Sequence, residues 1–227
     1  MAKGIHTELT FESAIEISLL ESGGYTQGFS EDFDSQLGLF PSYVTHFLKT
    51  SQPKAWEKLT NIHKDEAEKK VLQRLIKEID LRGILDVIRN GFTDYGVKFQ
   101  MGYFKPESAL NPDAEALYLT NHLSVTRQLY YERVGKNSID MVLSLNGLPI
   151  ATIELKNQFS GQSVDNAKKQ YVYDREPSEP IFQFKKRALV HFAVDTDECF
   201  MRNKLDGKHT RYLTFNIGSN NGAGNPV

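Results

Sequence analysis

Residues 138–156, Ser-Ile-Asp-Met-Val-Leu-Ser-Leu-Asn-Gly-Leu-Pro-Ile-Ala-Thr-Ile-Glu-Leu-Lys, constrain the fold more than any other stretch of the chain. Two aliphatic, β-branched runs flank Asn146-Gly147, a pair suited to the two positive φ angles of a tight hairpin turn. Side chains alternate along a strand. Ile150, Thr152, Glu154 and Lys156 therefore share one face of the second run, and Ala151, Ile153 and Leu155 the other. That run is apolar enough to be buried, yet a carboxylate and an ammonium project together from its end. The register matters as much as the hairpin. A symmetric two-residue loop pairs Asp140 with Ile153 and sends Asp140 and Glu154 to opposite faces. If the two carboxylates are to meet, the hairpin needs an odd loop, most simply Leu145-Asn146-Gly147 closed by Ser144 and Leu148, or a compensating β-bulge.

With Asp140 on the side of Glu154 and Lys156, two carboxylates and a lysine converge. Metal-assisted phosphodiester hydrolysis uses such a trio: hard oxygens bind Mg²⁺, the ion acidifies water, and the lysine steadies that water or the charge growing on phosphorus. Glu-x-Lys is also a common solvated pair on exposed strands, and three residues alone do not separate the two readings. Two features favour the site. The carboxylates lie at the inner ends of apolar runs, where an unpaired charge is costly without a metal or partner. A helix is expected over residues 164–173, offering Lys168, Lys169 and Gln170 for phosphate contacts.

The arrangement Asp140…Glu154-x-Lys156 resembles the PD-(D/E)xK nuclease superfamily. Its surroundings are similar to the amino-terminal nuclease region of the restriction (R, HsdR) subunit of type I restriction enzymes. The similarity is carried by Asn137 to Asn157, Gly161-Gln162, Lys169-Gln-Tyr-Val-Tyr-Asp-Arg175 and Arg187-Ala-Leu-Val-His-Phe-Ala-Val194. Phe11-Glu12, Gly24-Tyr25, Gly91-Phe-Thr-Asp-Tyr-Gly96, Val125-Thr-Arg-Gln-Leu129 and the closing Gly222-Ala-Gly-Asn-Pro226 extend it over nearly all of the chain. The resemblance implies that Asp140, Glu154 and the carbonyl of Leu155 are Mg²⁺ ligands and that Lys156 is catalytic. It also implies that Glu12 on the first helix sits near the metal, that Gln170 supports the site, and that Lys168 and Lys169 contact DNA. Where many such nucleases carry Gln-x-x-x-Tyr, this chain has Asp174 four residues after Gln170, which leaves the tyrosine role open between Tyr171 and Tyr173. The implied partners are double-stranded DNA and the methylase (M) and specificity (S) subunits, and the implied compartment is the cytoplasm. The implied motor, with its ATP, lies outside this chain.

Composition narrows the alternatives. Formal net charge is −2, with 27 Lys and Arg against 29 Asp and Glu. A domain gripping DNA unaided normally carries a basic excess, so the balance suits a nuclease that receives DNA from partners. The lone Cys199 rules out a disulfide framework and reads as a small buried hydrophobe. No run of eighteen apolar residues suggests a membrane span. The six histidines lack zinc spacing, and His191, inside an apolar run, reads as a core histidine. Gly135-Lys136-Asn137 and Gly207-Lys208-His209 lack the rest of a phosphate-binding loop, so ATP is not expected to bind here.

Periodicity completes the outline. Helices are expected over about 7–21 with Thr10 as a cap, over 41–49, twice between 54 and 82, and near 86–89. Strands are expected over 97–104, 124–131, the hairpin and 187–194, with an outer hairpin from 198–202 and 210–215. The expected class is α/β: a mixed sheet flanked by helices, with an endonuclease domain over 1–217, a helical insertion over about 41–90, and 218–227 opening a linker to a helicase motor. Two other readings remain open: a docking module bridging motor and methylase with little intrinsic cleavage, and a repair or junction nuclease of the same superfamily.

Overall fold

The computed structural model describes residues 8–107 and 111–216. The expected linker and Gly222–Pro226 lie outside the described residues. The chain order is α1 (Glu8–Glu21), β1 (Thr26–Gln27), α2 (Pro41–Ser51), α3 (Pro53–His63), α4 (Ala67–Arg82), α5 (Ile84–Asn90), β2 (Phe92–Asp94), β3 (Val97–Phe99), α6 (Pro112–Tyr118), β4 (Leu123–Tyr130), β5 (Ser138–Leu145), β6 (Leu148–Leu155), α7 (Val164–Tyr173), β7 (Val190–Val194), β8 (Cys199–Arg202) and β9 (Leu213–Thr214). Seven strands form one mixed sheet in the order β1-β4-β5-β6-β7-β8-β9. The β4–β5–β6 meander is antiparallel, β7 returns parallel to β6 after α7, and β1 runs parallel to β4.

Helices cover both faces of this sheet, as expected for an α/β sandwich. Phe11, Ile15, Leu19 and Leu20 of α1 pack on Val125, Met141, Ile153 and Leu155. On the opposite face Val164 and Ala167 of α7 meet Ala193, while Tyr171 joins Ile139, Val142, Ile181 and Phe182. Helices α2 to α5 enclose a further core of Val44, Phe47, Leu59, Val71, Leu75, Ile79 and Val87. Each shows its apolar residues at three- and four-residue spacing, which is why these spans were readable from periodicity.

Three expectations need correction. Thr10 lies inside α1 and does not cap it. The expected strand over 97–104 is shorter, and it leaves the main sheet to pair with β2 as a separate two-stranded ribbon. Alternation identifies a half-buried strand but not its partner. The odd hairpin loop is also absent. Leu145 pairs with Leu148 around a two-residue turn, with φ of 52° at Asn146 and 82° at Gly147.

A β-bulge, the other route considered, supplies the register instead. Leu143 pairs with Ala151 but Ser144 with Pro149, so Ile150 is the extra residue. Its carbonyl accepts a hydrogen bond from the N–H of Leu189 at 2.8 Å. Pro149 has no N–H for a ladder, and proline inside a sheet is confined to edges and bulges. Continuing the pairs Val142–Thr152 and Met141–Ile153 by one step sets Asp140 opposite Glu154.

Candidate active site

The turn that starts this geometry is buried. The Asn146 side chain donates to the carbonyl of Met101 at 3.0 Å and accepts from the N–H of His122 at 2.7 Å. Gly147 accepts from the N–H of Phe40, and a Cβ there would lie 2.7 Å from the Phe40 carbonyl and from the Val44 nitrogen. The hairpin tip is thus locked against the start of α2, and the other end carries the polar residues.

At that end the sheet opens. Arg127 pairs with Met141 and Leu129 with Ile139, but Gln128 and Asp140 between them do not pair as ladder residues. Gln128 has φ of +47°, unusual for a non-glycine residue in a strand. Its amide donates to Glu12 Oε1 at 3.0 Å and lies 3.5 Å from Asp140 Oδ1, while its carbonyl accepts from Ser138 Oγ at 2.8 Å. Asp140 Oδ2 takes the place of a ladder acceptor by receiving the N–H of Leu155 at 2.8 Å.

Glu154 is fully buried. Its Oε1 accepts from Arg175 Nε at 2.7 Å, and Oε2 has no hydrogen-bond partner among the described residues. Burial, and secondarily the charge of Asp140, pushes its carboxyl up to about 8, against the pull of Arg175 and Lys156. Lys156 Nζ lies 3.7 Å from Asp140 Oδ2 and donates to the Leu155 carbonyl at 2.9 Å. Asp140, Glu154, Leu155 and Lys156 therefore do meet.

Glu12 belongs to the same network. It sits on the apolar face of α1, 1% exposed, and burial raises its carboxyl above the ordinary range. Gln128 and Arg127 oppose that shift, and Arg127 bridges it to Glu16 with contacts of 3.1 and 3.0 Å. Beside them an open cleft is lined by Gly28, Phe29, Arg127 and Gln128.

Other expected residues take different places. Gln170 Oε1 is buried with no hydrogen-bond partner among the described residues, and Gln170 is not hydrogen-bonded to either carboxylate. Lys168 pairs with Asp165 at 3.2 Å and stands over the Phe200 ring, while Lys169 is exposed. Neither lysine forms a hydrogen bond or ion pair with Asp140 or Glu154. Tyr171 is buried and hydrogen-bonded through its hydroxyl to Thr152 at 2.8 Å, whereas Tyr173 is 64% exposed. Thr152 also meets His191 Nδ1 at 2.8 Å, and burial lowers that histidine to about 3, keeping it a neutral core residue. Cys199, expected as a buried hydrophobe, is only half-buried, and that burial pushes its thiol up to about 11.

Sequence reasoning missed Arg127, Gln128, Arg175 and Asp195. Asp195 closes the end of β7: its Oδ1 accepts the N–H groups of Asp197 and Glu198, and its Oδ2 accepts that of Val164, the first residue of α7. These bonds outweigh burial and hold its carboxyl below the ordinary value. Only Arg127 and Gln128, the partners of Glu12, had a signal, and it was indirect. Glu12 occupies the stripe shared by Phe11, Ile15 and Leu19, where a carboxylate requires a polar partner across the sheet.

Among the described residues no three His, Cys, Asp or Glu side chains gather closely enough to hold a metal by themselves. The donors at hand are two carboxylates and a main-chain carbonyl. No described helix is long and apolar enough to cross a membrane. Residues 7–210 match the family described as type I restriction enzyme R protein N terminus. The chain belongs to that family. The match spans α1 through the segment before β9 and so includes every residue of the carboxylate cluster. No curated protein matches the chain.

Proposed function

We propose that this R-subunit amino-terminal domain is a Mg²⁺-dependent DNA endonuclease, hydrolysing phosphodiester bonds in double-stranded DNA delivered by the rest of the restriction enzyme. One observation carries the reading: Asp140 and Glu154 converge beside Lys156, and one oxygen of the buried Glu154 has no hydrogen-bond partner among the described residues. Two carboxylates and the Leu155 carbonyl form an all-oxygen donor set, the type that hard divalent cations prefer. Arg175 engages only Oε1 of the buried Glu154, and a cation would complete the pairing at Oε2, which has no hydrogen-bond partner among the described residues. The residues present therefore fit the group.

Asp140, Glu154 and the Leu155 carbonyl would hold the cation in this reading. When bound, it supplies Lewis-acid activation of water and neutralisation of phosphate charge. Asp140 is fixed for its part by the Leu155 N–H and the Gln128 amide, so little reorganisation is required. Lys156 places a positive charge beside the carboxylates, where it orients the attacking water or offsets the charge that grows on the phosphate. Lys168 and Lys169 are assigned to DNA backbone contact, with the M and S subunits supplying sequence recognition.

The test is Mg²⁺-dependent cleavage by the assembled enzyme carrying Asp140→Ala, alongside calorimetry of Mn²⁺ with this chain. Loss of cleavage and of metal binding is expected. Undiminished cleavage would overturn the reading and favour a docking role.

A further inference from the structure

Arg175 follows the C-cap of α7, and its side chain is 3% exposed. Its guanidinium reaches three places at once. Nε donates to Glu154 Oε1 at 2.7 Å, Nη2 donates to the carbonyl of Ser138 at 2.8 Å, and Nη1 lies 3.5 Å from the Tyr131 hydroxyl. Glu154 is the penultimate residue of β6, Ser138 starts β5 and Tyr131 follows β4, so one planar fork ties the ends of three neighbouring strands. Ser138 stands two residues before Asp140. The same group thereby fixes the side chain of one carboxylate and the backbone carrying the other.

The contact to Glu154 is informative in its form. An arginine serving only to neutralise a buried carboxylate is best placed side-on, with two parallel N–H groups on two oxygens. Here Nη2 turns away to a backbone carbonyl and Arg175 engages only Oε1 of Glu154, while Oε2 is buried with no hydrogen-bond partner among the described residues.

We propose that Arg175 is a positioning residue of the metal site, holding Glu154 through Oε1 so that Oε2 is presented to the cation. This rests on the metal-dependent nuclease reading above. Groups that orient metal ligands commonly change metal affinity by about 10–100-fold when removed. Lysine at this position retains the charge but not the planar fork that reaches Glu154 and Ser138 together.

The experiment is calorimetric titration of Mn²⁺ into this chain as wild type, Arg175→Met and Arg175→Lys, with circular dichroism confirming the fold. Arg175→Met is expected to weaken Mn²⁺ binding by roughly 10–100-fold and Arg175→Lys by less. In the assembled enzyme, raised Mn²⁺ should restore cleavage to Arg175→Lys but not to Lys156→Ala, a rescue that a merely structural arginine would not produce. If Arg175→Met fails to fold, Arg175→Lys decides: weaker binding supports the assignment, and wild-type binding overturns it. Wild-type protein that binds no Mn²⁺ would instead overturn the nuclease reading itself.

Discussion

Glu154 and Arg175 form a pair that is expensive to bury, and the energetics at this position argue for a purpose other than stability. Well-packed apolar residues often replace a buried ion pair at no net cost, whereas removing one partner leaves an uncompensated charge costing about 3–5 kcal/mol. Denaturant unfolding should therefore show Glu154→Leu and Arg175→Met each strongly destabilising, with the double variant well short of their sum. Additive losses would mean that the two groups are not coupled. Lys156 has a separate role in the proposed chemistry. Lys156→Ala should cut DNA cleavage by the assembled enzyme on the order of 10²–10³-fold while this chain keeps its affinity for Mn²⁺. Wild-type cleavage by that variant would reassign Lys156 as structural.

At the scale of elements, the β5–β6 hairpin carries the geometry of the site. Its tip is fixed by Asn146-Gly147 against α2, and the Ile150 bulge brings Glu154 opposite Asp140 at the other end. Gly147 combines a φ of 82° with backbone atoms of Phe40 and Val44 where a Cβ would stand. Gly147→Ala should accordingly cost about 1–3 kcal/mol in left-handed strain alone, read as a lower urea midpoint, with the steric conflict adding to it. An unchanged midpoint would show that the tip can leave α2 freely. The bulge had a signal in Pro149, which cannot donate within a ladder, although alternation and the need for an odd count were equally met by a three-residue loop. Helix α7 was legible to the residue because its start and stop are local, with Ser163 and Asn166 forming a capping box and Pro177 beyond its end. The expected strand over 97–104 fared worse, since the choice between joining the main sheet and pairing with Phe92–Asp94 depends on partners distant in sequence.

For the whole molecule, the buried Thr152–His191–Tyr171 cluster links stability to pH. His191 is lowered from 6.5 to about 3 in the folded protein, chiefly by burial. Between these values the unfolded chain binds the extra proton, so stability is full above about 6.5 and falls as pH drops towards 3. The limiting slope from one such group is about 1.4 kcal/mol per pH unit. Urea unfolding at a series of pH values should show this acid-side loss, and His191→Gln should flatten it. An unchanged profile in the variant would place the acid sensitivity elsewhere. Deeper in the helical layer, Leu75→Ala should cost about 2–5 kcal/mol in the same assay, because Leu75 is fully enclosed by α2 to α5.

What the sequence determined by itself is what short-range physics controls: a hairpin at Asn146-Gly147, helices with periodic apolar faces, a crossover to a buried strand, and Asp140, Glu154 and Lys156 as the candidates for the proposed chemistry. Steric turn preferences and side-chain periodicity act over a few residues and leave their mark in local order. The tertiary structure decided which residues surround that trio. Gln128 is about a dozen residues from Asp140 in sequence, Arg175 is 21 from Glu154, and Arg127 is 115 from Glu12. Their contacts exist because neighbouring strands and two helices on opposite faces close on one strand end. Nothing in the local pattern of an arginine or glutamine records that it will be enclosed with a carboxylate; packing alone makes the charge costly and so sets where the partner must be.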